Sequence, residues 1–232
     1  MDFILEAKKY GFELSEEELN QFETYYSYLV EYNEHTNLTA ITEHDEVFYK
    51  HFLDSILLTK SYDLANKTLC DVGAGAGFPS VPCAIIDQTI QVDIVDSLNK
   101  RIIFLNSLIQ KLELKNVNAY HDRAEDYAKD KRETYDIVSA RAVARLSILA
   151  ELCLPLVRVG GVFLAMKSSQ YEEELDEAKN AIKTLGGKVV QIKKFDLPQN
   201  LGQREVIIIE KVKETPLKYP RAFAKIKSNP IR

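Results

Sequence analysis

One short glycine-rich stretch constrains the fold of this chain more than any other feature. An apolar run, residues 69–72, is followed by three glycines at alternate positions: Gly73, Gly75 and Gly77. Pro79 and a second apolar segment, residues 81–86, come next. Glycine lets a backbone turn sharply from strand to helix and approach a ligand with no Cβ in the way. The stretch therefore predicts a strand, a ligand-binding turn and a helix, at the position where open α/β sheets bind nucleosides.

The spacing of these glycines indicates what kind of nucleoside would bind. Dinucleotide-binding loops have the pattern G-x-G-x-x-G, whereas this loop has G-x-G-x-G followed by Phe78. A phenylalanine here would crowd a pyrophosphate, but it could flank an adenosyl or methionyl group. The pattern favours a ligand without phosphates, of which S-adenosylmethionine is the common example. A purely structural turn would give the same letters, so the loop needs a second signal.

Asp96 supplies that second signal. It ends the alternating run of residues 91–96, which predicts a second strand, and it follows the glycines by about twenty residues. A carboxylate at this place can accept hydrogen bonds from both ribose hydroxyls. An ordinary surface aspartate is the alternative for Asp96 alone. Its combination with Asp71 and the glycines favours nucleoside binding.

Composition limits the class of protein. At 232 residues with 46% hydrophobic and 28% charged residues, the chain predicts one soluble domain of ordinary size, with room for an appendage. No apolar run approaches the length of a transmembrane helix, and the first residues lack the basic region of a signal peptide. The three cysteines have no metal-binding or disulfide spacing: Cys70, Cys83 and Cys153. We therefore expect a reduced, cytoplasmic protein without a metal site.

Charge is distributed unevenly along the chain. The net charge is −5, which alone does not indicate a nucleic-acid-binding protein. Glu214 is the single acid within residues 211–232, against the following bases: Lys211, Lys213, Lys218, Arg221, Lys225, Lys227 and Arg232. Such asymmetry favours a tail that faces a polyanion, and a solvated terminus explains it equally well.

The chain is predicted to have three parts: an N-terminal helical extension (1–62), a core (63–213) and a basic tail (214–232), all within one structural domain. The extension should contain a helix over residues 2–10 and a longer one that begins with a capping box of Ser15 and Glu18. The longer helix should end near residues 35–37. Thr42 with Asp45 predicts the start of a third helix.

Strands and helices alternate after residue 67, which predicts βαβ units and a mostly parallel, seven-stranded sheet. The predicted strands cover residues 69–72, 91–96, 117–121, 135–139, 162–166, 188–193 and 205–210. Helices are predicted between them, among them one capped by Ser97, one over residues 147–156 and one over residues 170–185. The last two strands should form an antiparallel pair. This α/β, Rossmann-like arrangement resembles the S-adenosylmethionine-dependent methyltransferases; a dehydrogenase would need a substrate domain for which the chain has little room.

The exit of the fourth strand distinguishes among methyltransferases. Enzymes that methylate exocyclic amines usually carry Asn/Asp-Pro-Pro-Tyr there, whereas this chain has residues 139–142, Ser-Ala-Arg-Ala. Methylation of pyrimidine C5 needs a cysteine nucleophile, and Cys83 lies instead in the helix after the glycine loop. No general base is evident, which fits an acceptor with a free lone pair, such as guanine N7. Arg141 would hold the cofactor carboxylate or a phosphate; a surface ion pair is the alternative.

Several motifs together resemble one family, the bacterial ribosomal RNA small-subunit methyltransferase G family, also called glucose-inhibited division protein B. The motifs occur in order along the chain at residues 37–39, 51–55, 71–79, 96–101, 123–125, 139–142 and 219–221. The resemblance implies S-adenosylmethionine-dependent methylation of N7 of one guanine in 16S ribosomal RNA. It also implies cofactor contacts from five residues: Gly73, Phe78, Ala124, Glu125 and Arg141.

Contacts to RNA are predicted at a few basic positions. Lys167 ends the fifth strand and Arg204 precedes the last one, so both could meet phosphates. Arg221 and Lys225 of the tail belong to the same prediction. His51 lies one helical turn from Asp54 and could orient RNA or the target base, although a buried His–Asp pair that fixes the helix to the sheet is favoured.

The expected partner is 16S ribosomal RNA, within the small ribosomal subunit or an assembly intermediate, and the expected state is a monomer. Two other functions remain open at this point. One is a non-catalytic ribosome-assembly or regulatory protein that keeps a nucleoside pocket. The other is a small-molecule methyltransferase, against which the basic tail argues.

Overall fold

The computed structural model describes residues 3–141, 144–168 and 171–231. Four residues that belong to the predictions lie outside these ranges: Asp2, Ala142, Gln170 and Arg232. The strands are β1 (Thr68–Val72), β2 (Gln91–Asp96), β3 (Val117–His121), β4 (Tyr135–Arg141), β5 (Val157–Ser168), β6 (Gly187–Asp196) and β7 (Gln203–Lys211). They form one seven-stranded sheet in the order β3-β2-β1-β4-β5-β7-β6.

The sheet is mixed, with one antiparallel end. Strands β1 to β5 pair in parallel, whereas β7 is antiparallel to both β5 and β6. The predicted α/β class and the terminal antiparallel pair are confirmed. The strand order reverses between β1 and β4, so the carboxyl ends of these two strands border the crevice in which doubly wound sheets bind ligands.

The helices follow the predicted alternation. They are α1 (Phe3–Lys9), α2 (Glu16–Thr36), α3 (described below), α4 (Ser80–Ile86), α5 (Asn99–Lys111), α6 (Ala124–Asp130), α7 (Leu146–Cys153), α8 (Tyr171–Thr184) and α9 (Phe223–Ser228). The capping box of α2 is confirmed, because the Ser15 hydroxyl accepts from the Glu18 amide at 3.2 Å and the Glu18 carboxylate accepts from the Ser15 amide at 2.6 Å.

Two predicted helix caps are wrong. The third helix begins at His44, after Glu43, so Thr42 and Asp45 do not form a capping box. The Thr42 carbonyl instead accepts a hydrogen bond from the Tyr26 hydroxyl at 3.2 Å, a tertiary contact that the local pattern does not contain. Helix α5 begins after Leu98 rather than Ser97, because the Asp96 carboxylate accepts from the Leu98 amide at 2.9 Å.

Helix α3 is irregular in its middle. It runs through the segments His44–Val47, Phe48–Leu53, Asp54–Ile56 and Leu58–Ser61, and the second of these is a π-helix. Short π-helical segments are rare, and those that occur are often located at functional sites. This one carries His51, one of the predicted site residues.

Each face of the sheet is covered by its own layer of helices. Helices α1 to α5 pack on one face, where the Phe22 and Phe52 rings lie 5.0 Å apart at their centres. Helices α6 to α9 pack on the other face, around residues such as Leu149 and Phe163. The N-terminal helices therefore share a hydrophobic core with the sheet. In the part of the chain that the structure describes, no helix is long and apolar enough to cross a membrane.

Candidate nucleoside and acceptor site

The turn between β1 and α4 adopts the backbone geometry that its glycines predict. Gly73, Gly75 and Gly77 have φ values of 73°, 64° and 102°, in the left-handed region that residues with a Cβ avoid. A Cβ at Gly77 would lie 2.7 Å from the Tyr25 hydroxyl and 2.8 Å from Val81 Cγ2, whereas one at Gly75 would meet nothing within 4 Å. Gly77 therefore permits close packing beneath the loop, and Gly75 faces open space.

Asp71 holds this turn from below. Its fully buried carboxylate accepts hydrogen bonds from the Ser80 amide at 3.2 Å and from the Ser139 hydroxyl at 3.1 Å. Burial raises the pKa of Asp71 to about 7, although these hydrogen bonds oppose the shift. Asp71 thus links β1, β4 and the start of α4, and it positions the turn rather than a ligand.

Asp96 lies at the end of β2, where the sequence predicts a ribose contact. It is 3% exposed, and its carboxylate accepts from the Gly75 amide at 3.3 Å, the Leu98 amide at 2.9 Å and Arg101 Nη1 at 2.9 Å. A carboxylate can accept about four hydrogen bonds, so these three leave capacity for a ligand hydroxyl. The glycine loop and the end of β2 are therefore joined directly by the side chain that the spacing selects.

A cavity of about 130 Å³ opens beside Asp96. Its lining comes from the ends of β1 and β2, the turn before α6 and two residues further along the chain: Val72, Gly73, Val95, Asp96, Ser97, Arg101, Asp122, Arg123, Ala124, Glu125, Leu152 and Phe223. Four of the predicted cofactor residues meet here, namely Gly73, Asp96, Ala124 and Glu125. We call this space the first cavity.

A second cavity of about 440 Å³ adjoins it across the glycine loop. Gly73 and Arg101 line both cavities, and the second adds Leu38, Thr39, His51, Ala74, Gly75, Ala76, Phe78 and Arg141. Three further predicted cofactor residues therefore lie in the second cavity: Gly75, Phe78 and Arg141. Gly77 lines neither cavity and lies beneath the loop.

Phe78 is held in a stack of side chains. Its ring centre lies 5.4 Å from that of Tyr25 and 4.6 Å from that of His51, with interplanar angles of 11° and 22°. The Arg141 guanidinium lies 4.8 Å from the Phe78 ring centre. With only 4% of its surface exposed, Phe78 fixes the wall of the second cavity and offers a ligand little more than an edge.

The side chains of His51 and Asp54 do not form the predicted pair; each contacts Arg141 instead. Asp54 accepts from Arg141 Nη1 at 3.0 Å and lies 3.5 Å from Arg204 Nε. Burial raises the pKa of Asp54 more strongly than the two guanidiniums lower it. Arg141 Nη2 lies 3.4 Å from His51 Nδ1. Burial first, and then the charge of Arg141, lower the pKa of His51 to about 3, so its ring is neutral at physiological pH.

A third cavity, of about 300 Å³, lies on the far side of His51 and Arg141. Most of its lining surface is apolar, although several cationic side chains contribute to it. The lining residues are Ile41, Lys50, His51, Asp54, Leu57, Arg141, Met166, Lys167, Phe195, Arg204, Glu205 and Val206. His51 and Arg141 thus stand between the second and third cavities. A flat aromatic group with polar edges matches this lining, because apolar walls cover its faces and cations meet its acceptors.

Of the other predicted RNA contacts, Lys167 lines the third cavity, whereas Arg221 and Lys225 lie in the C-terminal segment. The Lys167 ammonium donates to the Ala144 carbonyl and to Glu174, each at 2.7 Å, and it is 8% exposed. Arg221 is paired with Glu151 on α7. Lys225 is exposed on α9. Of these, only Lys225 has its charge open to solvent.

Sequence reasoning missed two residues of the site region. Phe223 lines the first cavity although it lies far beyond Leu152, the preceding lining residue along the chain. Glu151 is fully buried on α7, a helix whose other residues are mostly apolar. The signal for Glu151 was present, because a single acid within a buried apolar helix requires a cationic partner somewhere in the chain. No local pattern indicated Phe223.

Within residues 3–141, 144–168 and 171–231, no cluster of His, Cys, Asp and Glu could hold a metal ion.

Comparison with solved structures identifies the fold. The chain is similar to TYW2 of M. jannaschii in complex with AdoMet, with a TM-score of 0.53 and 16% identity over 67% of this chain and 74% of that one. It is also similar to a SAM-dependent methyltransferase from Aquifex aeolicus, with a TM-score of 0.54 and 16% identity over 72% of this chain and 93% of that one. At this identity the likeness shows a shared fold.

Comparison of sequences goes further. A relative from Staphylococcus saprophyticus, named ribosomal RNA small subunit methyltransferase G, is 59% identical over 91% of this chain and 90% of its own length. A relative from Lactobacillus acidophilus with the same name is 50% identical over 99% of this chain and 98% of its own length. The family model described as rRNA small subunit methyltransferase G matches residues 18–207. This chain therefore belongs to the rRNA small subunit methyltransferase G family.

Proposed function

We propose that this protein is an S-adenosylmethionine-dependent methyltransferase that methylates N7 of a specific guanine in 16S ribosomal RNA. Membership of the family supports the reaction class, and the names of the relatives support small-subunit ribosomal RNA as the substrate. The observation that carries the proposal is the row of three adjoining cavities along the strand ends, with Asp96 in the first cavity and Arg141 at the boundary between the second and the third.

The donor set of the first two cavities fits S-adenosylmethionine. Adenosine would occupy the first cavity, with Ala124 and Glu125 at the base and Asp96 at the ribose. The methionyl part would lie in the second cavity against Gly73 and Gly75, where no Cβ fills the space. A ribose hydroxyl would take the remaining acceptor capacity of Asp96 or replace Arg101 there.

The acceptor guanine would occupy the third cavity. S-adenosylmethionine supplies an electrophilic methyl group, and guanine N7 already carries a free lone pair, so no proton has to be removed before transfer. The neutral His51 ring and the paired Arg141 then act by fixing the boundary between the second and third cavities. Alignment of two reactants in this way can lower a barrier by about 7–11 kcal/mol.

RNA would reach the third cavity over its basic rim. Arg204 is part of that rim with 22% of its side chain exposed, and its pairing with Asp54 leaves other guanidinium donors for a phosphate. His51 lies at the cavity boundary. We propose that Lys225, whose charge is open to solvent, contributes positive potential along the approach. The charges of Lys167 and Arg221, the other two predicted contacts, are balanced by Glu174 and Glu151. Such contacts position RNA and do not read its sequence.

We further propose that the protein acts as a cytoplasmic monomer on the small ribosomal subunit or on an assembly intermediate. The domain organisation proposed here is an N-terminal helical extension (1–62), a core (63–213) and a tail (214–232) that form one structural unit, in keeping with the shared hydrophobic core.

Mapping of modified nucleotides in cells tests the proposed function. Mass spectrometry of 16S RNA from cells with and without this protein should find one 7-methylguanosine that depends on the protein. Complementation with the Asp96→Ala variant should give less methylation at that position than the wild type does, because the variant loses the proposed ribose contact. An identical modification pattern in the presence and absence of the protein would contradict methylation and favour a non-catalytic role in ribosome assembly.

A further inference from the structure

The C-terminal segment does not extend away from the core; it returns to the helical face of the sheet that carries α7. Arg132 donates to the Tyr219 carbonyl at 2.7 Å, and the Thr215 hydroxyl donates to the Leu185 carbonyl at 2.7 Å. Ile226 of α9 is fully buried in the same cluster as Leu149. These contacts hold the segment from Thr215 to Ile226 against the core at several separate points.

Glu151 is the strongest of these attachments. Its carboxylate is fully buried, and Arg221 donates to it three times, from the backbone amide at 2.9 Å, from Nε at 2.8 Å and from Nη2 at 2.6 Å. Removal of one partner of a buried ion pair leaves an uncompensated charge, which is strongly unfavourable. The ion pair therefore favours the docked position of the segment, and the Arg221 guanidinium is engaged in this contact.

The ion pair places Phe223 at the first cavity. Phe223 lines that cavity together with Leu152, the neighbour of Glu151 on α7. The Phe223 amide donates to Glu125 Oε1 at 3.3 Å, so the tail also touches the residue that follows Ala124 at the start of α6. An aromatic ring, an aliphatic side chain and a carboxylate that is 8% exposed thus come together in one small space.

We propose that the tail residue Phe223 is a cofactor-binding residue, held by the Arg221–Glu151 ion pair as the wall that covers the adenine of S-adenosylmethionine. The proposal rests on the proposed function, and it names a wall of the site that comes from the basic tail. Aromatic side chains stack on bases because each base presents a flat π-face. The tail then belongs to the cofactor site, and its exposed lysines are a separate feature.

Calorimetric titration of the full-length protein with S-adenosylmethionine tests the proposal. Phe223→Ala should raise the Kd about tenfold or more, the scale of a lost base–aromatic contact. Phe223→Leu should give an intermediate Kd, because it keeps apolar area but loses the flat face. Leu217→Ala is the matched control, since Leu217 belongs to the same segment and is 91% exposed. Its Kd should equal that of the wild type.

S-adenosylhomocysteine is the second probe, because it lacks only the transferable methyl group. Phe223→Ala should weaken both ligands by the same factor, since the wall touches the base and not the sulfur. Urea unfolding of each variant measures the folded fraction at the titration temperature. A folded Phe223→Ala protein with the wild-type Kd overturns the proposal and leaves the proposed function intact. Failure of the wild type to bind either ligand would contradict the proposed function itself.

Discussion

Asp96 is the residue on which the proposed nucleoside binding depends most directly. Replacement with alanine would remove the proposed acceptor for the ribose, and it removes the contacts of Asp96 with Gly75 and Arg101. We expect Asp96→Ala to weaken S-adenosylmethionine binding by about 1–3 kcal/mol, the scale of a hydrogen bond to a charged group. Calorimetric titration measures the change.

The control for this variant is Asp130→Ala, because Asp130 is exposed at the end of α6, away from the first cavity. Its affinity should match the wild type. If Asp96→Ala binds the ligand as tightly as Asp130→Ala does, Asp96 does not contact the cofactor.

His51 should make the stability of the fold depend on pH. Its pKa falls from 6.5 to about 3 on folding, so between these values the unfolded chain binds a proton that the native protein does not. The contribution of the neutral His51 ring to the free energy of unfolding is therefore complete above pH 6.5, and it decreases as the pH falls toward 3. Between pH 7.5 and pH 5 the wild type should lose about 2 kcal/mol more than His51→Gln. Urea unfolding at both pH values gives the comparison; equal losses would show that His51 is not desolvated.

Residues of the site could be predicted from the sequence where they belong to one local pattern. The glycine spacing and the distance to Asp96 are properties of a single βαβ unit, and the structure joins Asp96 to Gly75 directly. The partners of Arg141 were not predictable, because Asp54 and His51 come from a helix about ninety residues earlier. Their meeting depends on how the N-terminal helices pack on the sheet.

At the scale of elements, two glycines of the β1–α4 turn have different roles: Gly77 allows close packing, and Gly75 faces open space. Gly77→Ala combines an unfavourable φ with overlap against Tyr25 and Val81, so it should lower the free energy of unfolding by about 2–5 kcal/mol. Gly75→Ala introduces no steric overlap, so it should lower the free energy of unfolding by only about 1–2 kcal/mol, the cost of the positive φ for alanine. Thermal unfolding measures both variants. A larger loss of stability at Gly75 than at Gly77 would contradict this assignment.

The attachment of the C-terminal segment to α7 should contribute strongly to stability. Arg221→Ala leaves the Glu151 carboxylate buried without its partner, at an expected cost of about 3–5 kcal/mol. The double variant Arg221→Leu with Glu151→Leu removes both charges and should recover most of that loss. Urea unfolding distinguishes the cases, and a double variant as unstable as Arg221→Ala would show that the charge of Glu151 is not the cause.

The order of elements followed from periodicity and turn residues, since these are local. Most predicted strands agree with the structure within a few residues, but β5 begins at Val157, whereas the prediction started it at Val162, after the Gly160–Gly161 pair. The π-helical segment of α3 and the docking of α9 had no local signal. Both depend on tertiary packing, in which helix α3 lies against the sheet and Ile226 enters the core.

At the scale of the whole molecule, charge governs the expected interaction with RNA. The net charge is −5, so binding must use local basic surface, such as the exposed lysines Lys225 and Lys227 and the rim around Arg204. Each neutralised phosphate releases counterions, so affinity for RNA should fall linearly with salt on a logarithmic scale. Filter binding across a salt series measures the slope. An affinity independent of salt would argue against phosphate contacts.

Methyl transfer to the small ribosomal subunit in vitro tests the central claim most directly. Small subunits from cells that lack this protein would be incubated with the purified protein and S-adenosylmethionine that carries an isotope-labelled methyl group. The account predicts that mass spectrometry finds the label as 7-methylguanosine at a single position of 16S RNA. Label on another base or another atom of guanine, or no label on RNA of subunits and assembly intermediates, would contradict it.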